Sequence, residues 1–136
     1  MEEFLEQDQF DVAISMNNLA SYYFFQGKYS EAEPLFKQSI STLEKILGKE
    51  NLEVGISLNN LASLYFFSGR HSEAIPIFNR SLKMLEKAFG KDRCEISTVL
   101  ENMAECYNHL GREDEAIKLE ERAKVIRQKK VIKTFV

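Results

Sequence analysis

Asn60-Leu61-Ala62-Ser63-Leu64-Tyr65-Phe66-Phe67-Ser68-Gly69 repeats Asn18-Leu19-Ala20-Ser21-Tyr22-Tyr23-Phe24-Phe25-Gln26-Gly27 at a distance of 42 residues, and Asn102-Met103-Ala104, Tyr107 and Gly111 repeat it once more. The same step joins Ala32, Ala74 and Ala116, then Pro34 with Pro76 and Gly48 with Gly90. So many columns in one register mark an internal repeat, and a repeat of this length implies stacked supersecondary units. Within the quoted stretch the apolar spacing is helical. Leu58, Leu61, Ala62 and Tyr65 fall at i, i+3, i+4 and i+7, as do Met16, Leu19, Ala20 and Tyr23, forming one stripe of a 3.6-residue helix.

Working outward, Gly27, Gly69 and Gly111 stand just past the stripe, where a helix C-terminus calls for positive φ. A second helix is expected to begin after Ser30 and Ser72, each followed by a glutamate suited to the positive end of the helix dipole. Pro34 and Pro76 would then lie in its first turn, where a missing N–H costs little. Each unit is therefore a helical hairpin, with boundaries expected at 6–47, 48–89 and 90–131.

The order Leu19-Ala20, Tyr23, Gly27, Ala32, Phe36 resembles the tetratricopeptide signature, and the second unit matches it through Phe78. The length of the unit, with Asn17-Asn18-Leu19-Ala20 and the run from Gly27 to Phe36, is similar to the repeats of kinesin light chains. The resemblance implies an all-α solenoid, three hairpins in a right-handed superhelix. It also implies that the first helices line a concave groove for a protein or peptide ligand.

On that reading the groove is lined by Asn17, Ser21, Phe24 and Phe25 in the first unit and by Asn59, Ser63, Phe66 and Phe67 in the second. In the third it is lined by Glu101, Glu105, Asn108 and His109. Asn17 and Asn59 offer donor and acceptor to the backbone of an extended peptide. Asn18, Asn60 and Asn102 point elsewhere, and a structural hydrogen bond between helices is expected of them. Consecutive helical residues diverge by about 100°, so one phenylalanine of each pair is expected to be exposed. The other can close the hairpin corner. Because the first helices hold no Lys or Arg, a clamp for an acidic peptide lacks its cations. An apolar peptide with a basic residue toward Glu101 and Glu105 fits better.

The two ends of the array differ. Met1–Leu5 aligns with the close of a second helix, as if an earlier unit preceded it. In the third unit Glu120 replaces Phe36 and Phe78, and Lys118, Glu121, Arg122, Lys124 and Arg127 make the last helix polar, as a capping unit should be. The basic run continuing through Lys129, Lys130 and Lys133 suits a helix C-terminus and a solvated cap.

Composition narrows the function. The 136 residues are 44% hydrophobic and 29% charged, with a net charge of −3, two prolines and six glycines. That describes an ordered domain with a real core rather than a disordered chain. No clustered basic face suits nucleic acid. The first ten residues carry four acids and no apolar run, so no signal peptide and no membrane insertion are expected. Cys94 and Cys106 lie on one helix roughly 18 Å apart, too far to bridge, which suggests reduced thiols and a cytoplasmic setting.

No Cys-x-x-Cys, His-x-x-x-His or phosphate loop appears, so no catalytic residue, metal or cofactor is expected. Cys106 and His109, at i and i+3, lack an activating cation, and Cys106 reads as a packing residue. The expected function is a peptide-binding adaptor or scaffold module. Competing expectations are self-association through the exposed aromatics or the open N-terminal edge, and a sensor arm on a nucleotide-dependent switch protein.

Overall fold

A computed structural model describes the backbone of residues 2–135 and the side chains of residues 5–130. Six helices follow one another: α1 (Glu2–Phe25), α2 (Tyr29–Leu47), α3 (Leu52–Phe67), α4 (His71–Phe89), α5 (Cys94–His109) and α6 (Glu113–Phe135). No strand occurs among the described residues. Each odd-numbered helix packs most closely on the even-numbered helix after it, giving three hairpins, and the hairpins stack through α2 on α3 and α4 on α5. The backbones of α1 and α3, and of α3 and α5, also meet. Among the described residues the backbones of the even-numbered helices do not meet, and long side chains bridge them, as in Arg80–Glu44 at 2.9 Å and Arg122–Glu86 at 3.0 Å. The odd-numbered helices thus line the inner side of the stack and the even-numbered ones its outer side.

The hairpin turns explain the glycine and tyrosine columns together. Gly27 has φ of 77°, and its N–H donates to the Phe24 carbonyl at 2.9 Å while Lys28 N–H donates to the Tyr23 carbonyl at 2.9 Å. Gly69 and Arg70 repeat this with Phe66 and Tyr65, and Gly111 and Arg112 with Asn108 and Tyr107. This paired bonding closes a helix through a left-handed residue and satisfies carbonyls that would otherwise be orphaned. The residue after each glycine is basic, and its cation lies over the tyrosine ring: Lys28 on Tyr23 at 5.9 Å, Arg70 on Tyr65 at 4.1 Å, Arg112 on Tyr107 at 4.9 Å.

Three local expectations are corrected. The second helices begin at Tyr29 and His71, with Lys28 and Arg70 as the capping residues, so Ser30 and Ser72 lie inside the first turn. The turn closes so tightly that the Lys28 carbonyl already accepts from Ala32 N–H at 3.1 Å. Pro34 and Pro76 consequently sit in the second turn, within the helix, where each removes an internal N–H. Lastly, Glu2–Leu5 does not form the end of a separate helix but continues into α1. The position that is Gly48 and Gly90 in the later units is Glu6 here, which gives the helix no reason to stop. Met1 lies outside the described residues.

Phe36 and Phe78 are fully enclosed and anchor the core together with Leu43, Leu64, Leu100 and Ile126. Burying each such ring stabilises by about 1.5–3 kcal/mol. Buried serines tie hairpins internally: Ser39 donates to the Ala13 carbonyl at 2.6 Å, and Ser81 to the Gly55 carbonyl at 2.7 Å. At Gly55 an added Cβ would lie 2.9 Å from the Met84 Cβ, so the glycine permits α3 and α4 to approach closely.

Candidate protein-binding groove

The inner side of α1 and α3 gathers five of the twelve expected residues, Ser21, Phe24, Phe25, Ser63 and Phe67, around one cavity. Ser21, Phe24 and Phe25 of α1 face Asn60, Ser63 and Phe67 of α3 across a cavity of about 200 Å³ whose floor includes Phe36. The Phe24 and Phe67 rings meet edge to face at 5.8 Å. The Ser63 hydroxyl donates to the Asn59 carbonyl at 2.8 Å, within its own helix.

The phenylalanine pairs divide their work. Phe25 is 82% exposed and Phe67 59%, whereas Phe24 and Phe66 are half-buried. Phe24 packs on Tyr29 at 5.7 Å and Phe66 on His71 at 5.4 Å, so one ring of each pair closes the corner of its hairpin. The partner ring is left at the surface, continuous with the cavity.

Asn17 and Asn59 are not consumed by the fold. The Oδ1 of each is enclosed and accepts no hydrogen bond among the described residues. A buried acceptor left unsatisfied costs about 1–3 kcal/mol, which Ser63 on the same helix as Asn59 does not offset, since its hydroxyl serves the Asn59 carbonyl. Asn18, Asn60 and Asn102 make no inter-helix hydrogen bond among the described residues, contrary to expectation. Asn18 is exposed, and Asn60 lines the cavity beside Ser63. The i, i+3, i+7 spacing of Asn60, Ser63 and Phe67 was the available signal for it.

The third unit is built differently. Glu101 is ion-paired with Arg127 of α6, so a cation reaches this end of the groove from the second helix, where Leu43 and Leu85 stand in the earlier units. Asn108 Nδ2 donates to Glu120 at 3.2 Å. Glu105 is exposed. His109 leaves Cys106 aside and stacks flat on His71, with ring centroids 4.2 Å apart and planes 4° from parallel. His71 Nδ1 is enclosed without a hydrogen-bond partner among the described residues, and burial, then the neighbouring His109, push its pKa below the usual 6.5.

Other titratable groups offer little chemistry. The Cys106 thiol is buried, and burial with the adjacent Glu105 raises its pKa to about 11, keeping it protonated. Cys94 is half-buried, and both cysteines are free. Among the described residues no cluster of three or more His, Cys, Asp and Glu is placed to hold a metal. A larger depression of about 450 Å³ on the outer side is lined by Lys49, Arg80, Lys83 and Lys87 with Glu50 and Met84. Arg80 and Lys87 are already engaged by Glu44 and Glu50.

Stacked hairpins with a groove along their first helices define an α-solenoid of the protein-interaction class. The tetratricopeptide repeat family model matches residues 11–87 and again 58–129, and the chain belongs to that family. Repeats of this family generally mediate protein–protein interaction.

Among solved structures, BtubC (BKLC) from P. vanneervenii is similar with a TM-score of 0.80 and 26% identity, covering 86% of this chain and 47% of that one. The chain thus spans about half the length of BtubC. The TPR domain of Arabidopsis FLU has a TM-score of 0.78 at 16% identity, covering 91% of this chain and 98% of that one. The kinesin light chain-like character of the units is reflected in a Podosopora anserina putative kinesin light chain with nearly identical TPR-like repeats. It has a TM-score of 0.69 at 24% identity, covering 87% of this chain and 56% of that one. No match was found among curated protein sequences.

Proposed function

We propose that the chain is a non-catalytic adaptor or scaffold module that holds an extended, largely apolar peptide along the inner side of α1 and α3. The observation that carries this reading is the cavity lined by Ser21, Phe24, Phe25, Asn60, Ser63 and Phe67, on the same two helices as the Asn17 and Asn59 carboxamides, whose Oδ1 atoms accept no hydrogen bond among the described residues. An asparagine presents a donor and an acceptor, as a peptide bond does, and so holds backbone without reading side chains. The rings supply apolar area at low entropic cost. With no Lys or Arg on α1, α3 or α5, an acidic ligand finds no clamp there. Pairing with Arg127 occupies Glu101, so Glu105 is the carboxylate that remains to receive a basic residue of the ligand. A cytoplasmic setting belongs to this reading and is supported by the two free thiols.

Display selection with a random peptide library tests it. Enriched peptides should be apolar with a basic residue near one end, and they should be lost when the selection is repeated on Asn17→Ala, Asn59→Ala. Enrichment of acidic peptides, or an unchanged profile on the double variant, would contradict the reading.

The exposure of Phe25 and Phe67 favours one other reading, self-association through the aromatic edge. Sedimentation of the wild type against Phe25→Ser, Phe67→Ser separates the two: only self-association predicts a change in mass.

A further inference from the structure

The depression of about 450 Å³ on the outer side of the stack lies where the loop between α2 and α3 meets α4. Lys49 and Glu50 line it from the loop, and Arg80, Lys83, Met84 and Lys87 from the helix. The four helical positions fall at i, i+3, i+4 and i+7, one face of α4. Four cations thus meet one carboxylate there, on a chain whose net charge is −3.

The stack uses only two of these cations. Arg80 pairs with Glu44 and Lys87 with Glu50, and the next junction repeats both pairs as Arg122 with Glu86 and Lys129 with Asp92. Those pairs are the recurring bridges between neighbouring hairpins. Lys83 stands outside the pattern, since the same place holds Ser41 in the first unit and Val125 in the third. Neither Lys83 nor Lys49 makes an ion pair or hydrogen bond among the described residues, and both are exposed. Nearly buried Met84 and the methylene stems of the lysines give the depression apolar surface between the charges.

We infer that this depression is a binding site for a dianionic phosphate monoester carried on an aromatic body. Two unspent cations, one on the loop and one on the helix, match the two negative charges of such a group. Its three acceptor oxygens can engage Lys49, Lys83 and also Lys87, whose pair with Glu50 is largely exposed and therefore readily shared. A single carboxylate would leave one cation unmatched. The depression is larger than a phosphate group alone requires and is of the size that holds small ligands. The carrier of the phosphate therefore enters as well, and the thioether of Met84 favours a ring. A phosphorylated tyrosine of a partner and a small aryl phosphate share this chemistry. The inference is independent of the inner groove, which lies on the other side of the stack.

Phenyl phosphate is a suitable probe, titrated at neutral pH into the isotope-labelled intact chain and followed by nuclear magnetic resonance. Saturable shifts are expected at the backbone amides of Lys49 and Glu50 and along Arg80 to Lys87. Lys49→Gln, Lys83→Gln should weaken binding by roughly tenfold or more without changing the circular dichroism, since both side chains are exposed. Lys118→Gln, Lys124→Gln on α6, which removes the same charge elsewhere, should leave binding intact. Benzoate, with the ring but one charge, and inorganic phosphate, with the charge but no ring, should each bind more weakly. Tighter binding of N-acetyl phosphotyrosine amide than of phenyl phosphate assigns the site to a phosphorylated side chain, and equal or weaker binding assigns it to a small ester. Shifts that never saturate or that spread over the other cations of the chain, an unchanged response of the Lys49, Lys83 variant, an equal loss in the α6 variant, or benzoate binding as tightly as phenyl phosphate would each overturn the inference.

Discussion

At the residue scale the molecule is organised by the turn that closes each first helix. The glycine supplies positive φ, the tyrosine three places before the cap supplies a carbonyl and a ring, and the basic residue after the glycine returns to both. The glycine and tyrosine were legible as columns because their identity is the same in all three units. The cation was not, because Lys28, Arg70 and Arg112 share charge rather than identity and their role emerges only when the turn is closed. Replacing Gly69 by alanine forces a Cβ into the left-handed region at φ of 80°. A loss of about 1–2 kcal/mol is expected, measured by urea denaturation.

The stacked histidines give a second residue-level expectation. His71 binds protons less readily in the folded than in the unfolded chain, because burial and His109 oppose its charge. Its contribution is therefore fully present above pH 6.5 and declines as the pH falls below that value toward the depressed folded pKa. Thermal melts of the wild type should lose stability through this window more steeply than those of His71→Tyr, which carries the residue found at position 29. Parallel curves would contradict it. Nothing in the sequence foretold this pairing, since the two histidines are far apart in the chain and meet only when α4 and α5 stack.

At the scale of the element, the hairpins were legible and their edges were not. Helical spacing, the small alanines and the positive-φ glycines indicated two helices per unit, and six helices form. Serine looked like the natural cap, yet the tight turn starts each second helix two residues earlier and draws the proline into the helix. The helix tolerates the lost bond because tertiary packing of its apolar face, rather than local propensity, holds it in place. Phe78 shows how strongly. It is fully enclosed between hairpins, and Phe78→Ala should cost about 3–5 kcal/mol, visible as a large fall in the urea midpoint. The continuity of α1 has a comparably simple cause in Glu6, which stands where later units have glycine.

At the scale of the whole molecule the two ends are unlike. The first hairpin keeps exposed apolar residues, Val12, Leu19 and Tyr22, on the outer stripe of α1, while the last replaces the enclosed column of Phe36, Ile40 and Leu43 with Glu120, Lys124 and Arg127. Those charges would be costly to bury against the apolar stripe of another copy's α1. Restoring that column with Glu120→Phe, Lys124→Leu, Arg127→Leu should make the chain associate in a concentration-dependent way in sedimentation, while the wild type does not respond alike. The polarity of this end was readable in the sequence. The exposure of the other was not, because residues such as Val12 and Leu19 look like ordinary core until the stacking order leaves their face uncovered.

The inner groove joins these scales, since turns set the rings, hairpins set the spacing and the stack sets the line along which a ligand would lie. Its occupancy can be read by nuclear magnetic resonance, titrating a peptide enriched on the wild type into the isotope-labelled chain. Occupancy of the groove predicts shifts of the Asn17 and Asn59 side-chain amides and of the inner residues of α1 and α3 around Ser21, Ser63 and Phe67, with the outer faces of α2 and α4 unmoved. Shifts confined to the outer helices or to the exposed stripe of α1, with both asparagine amides unchanged, would contradict it.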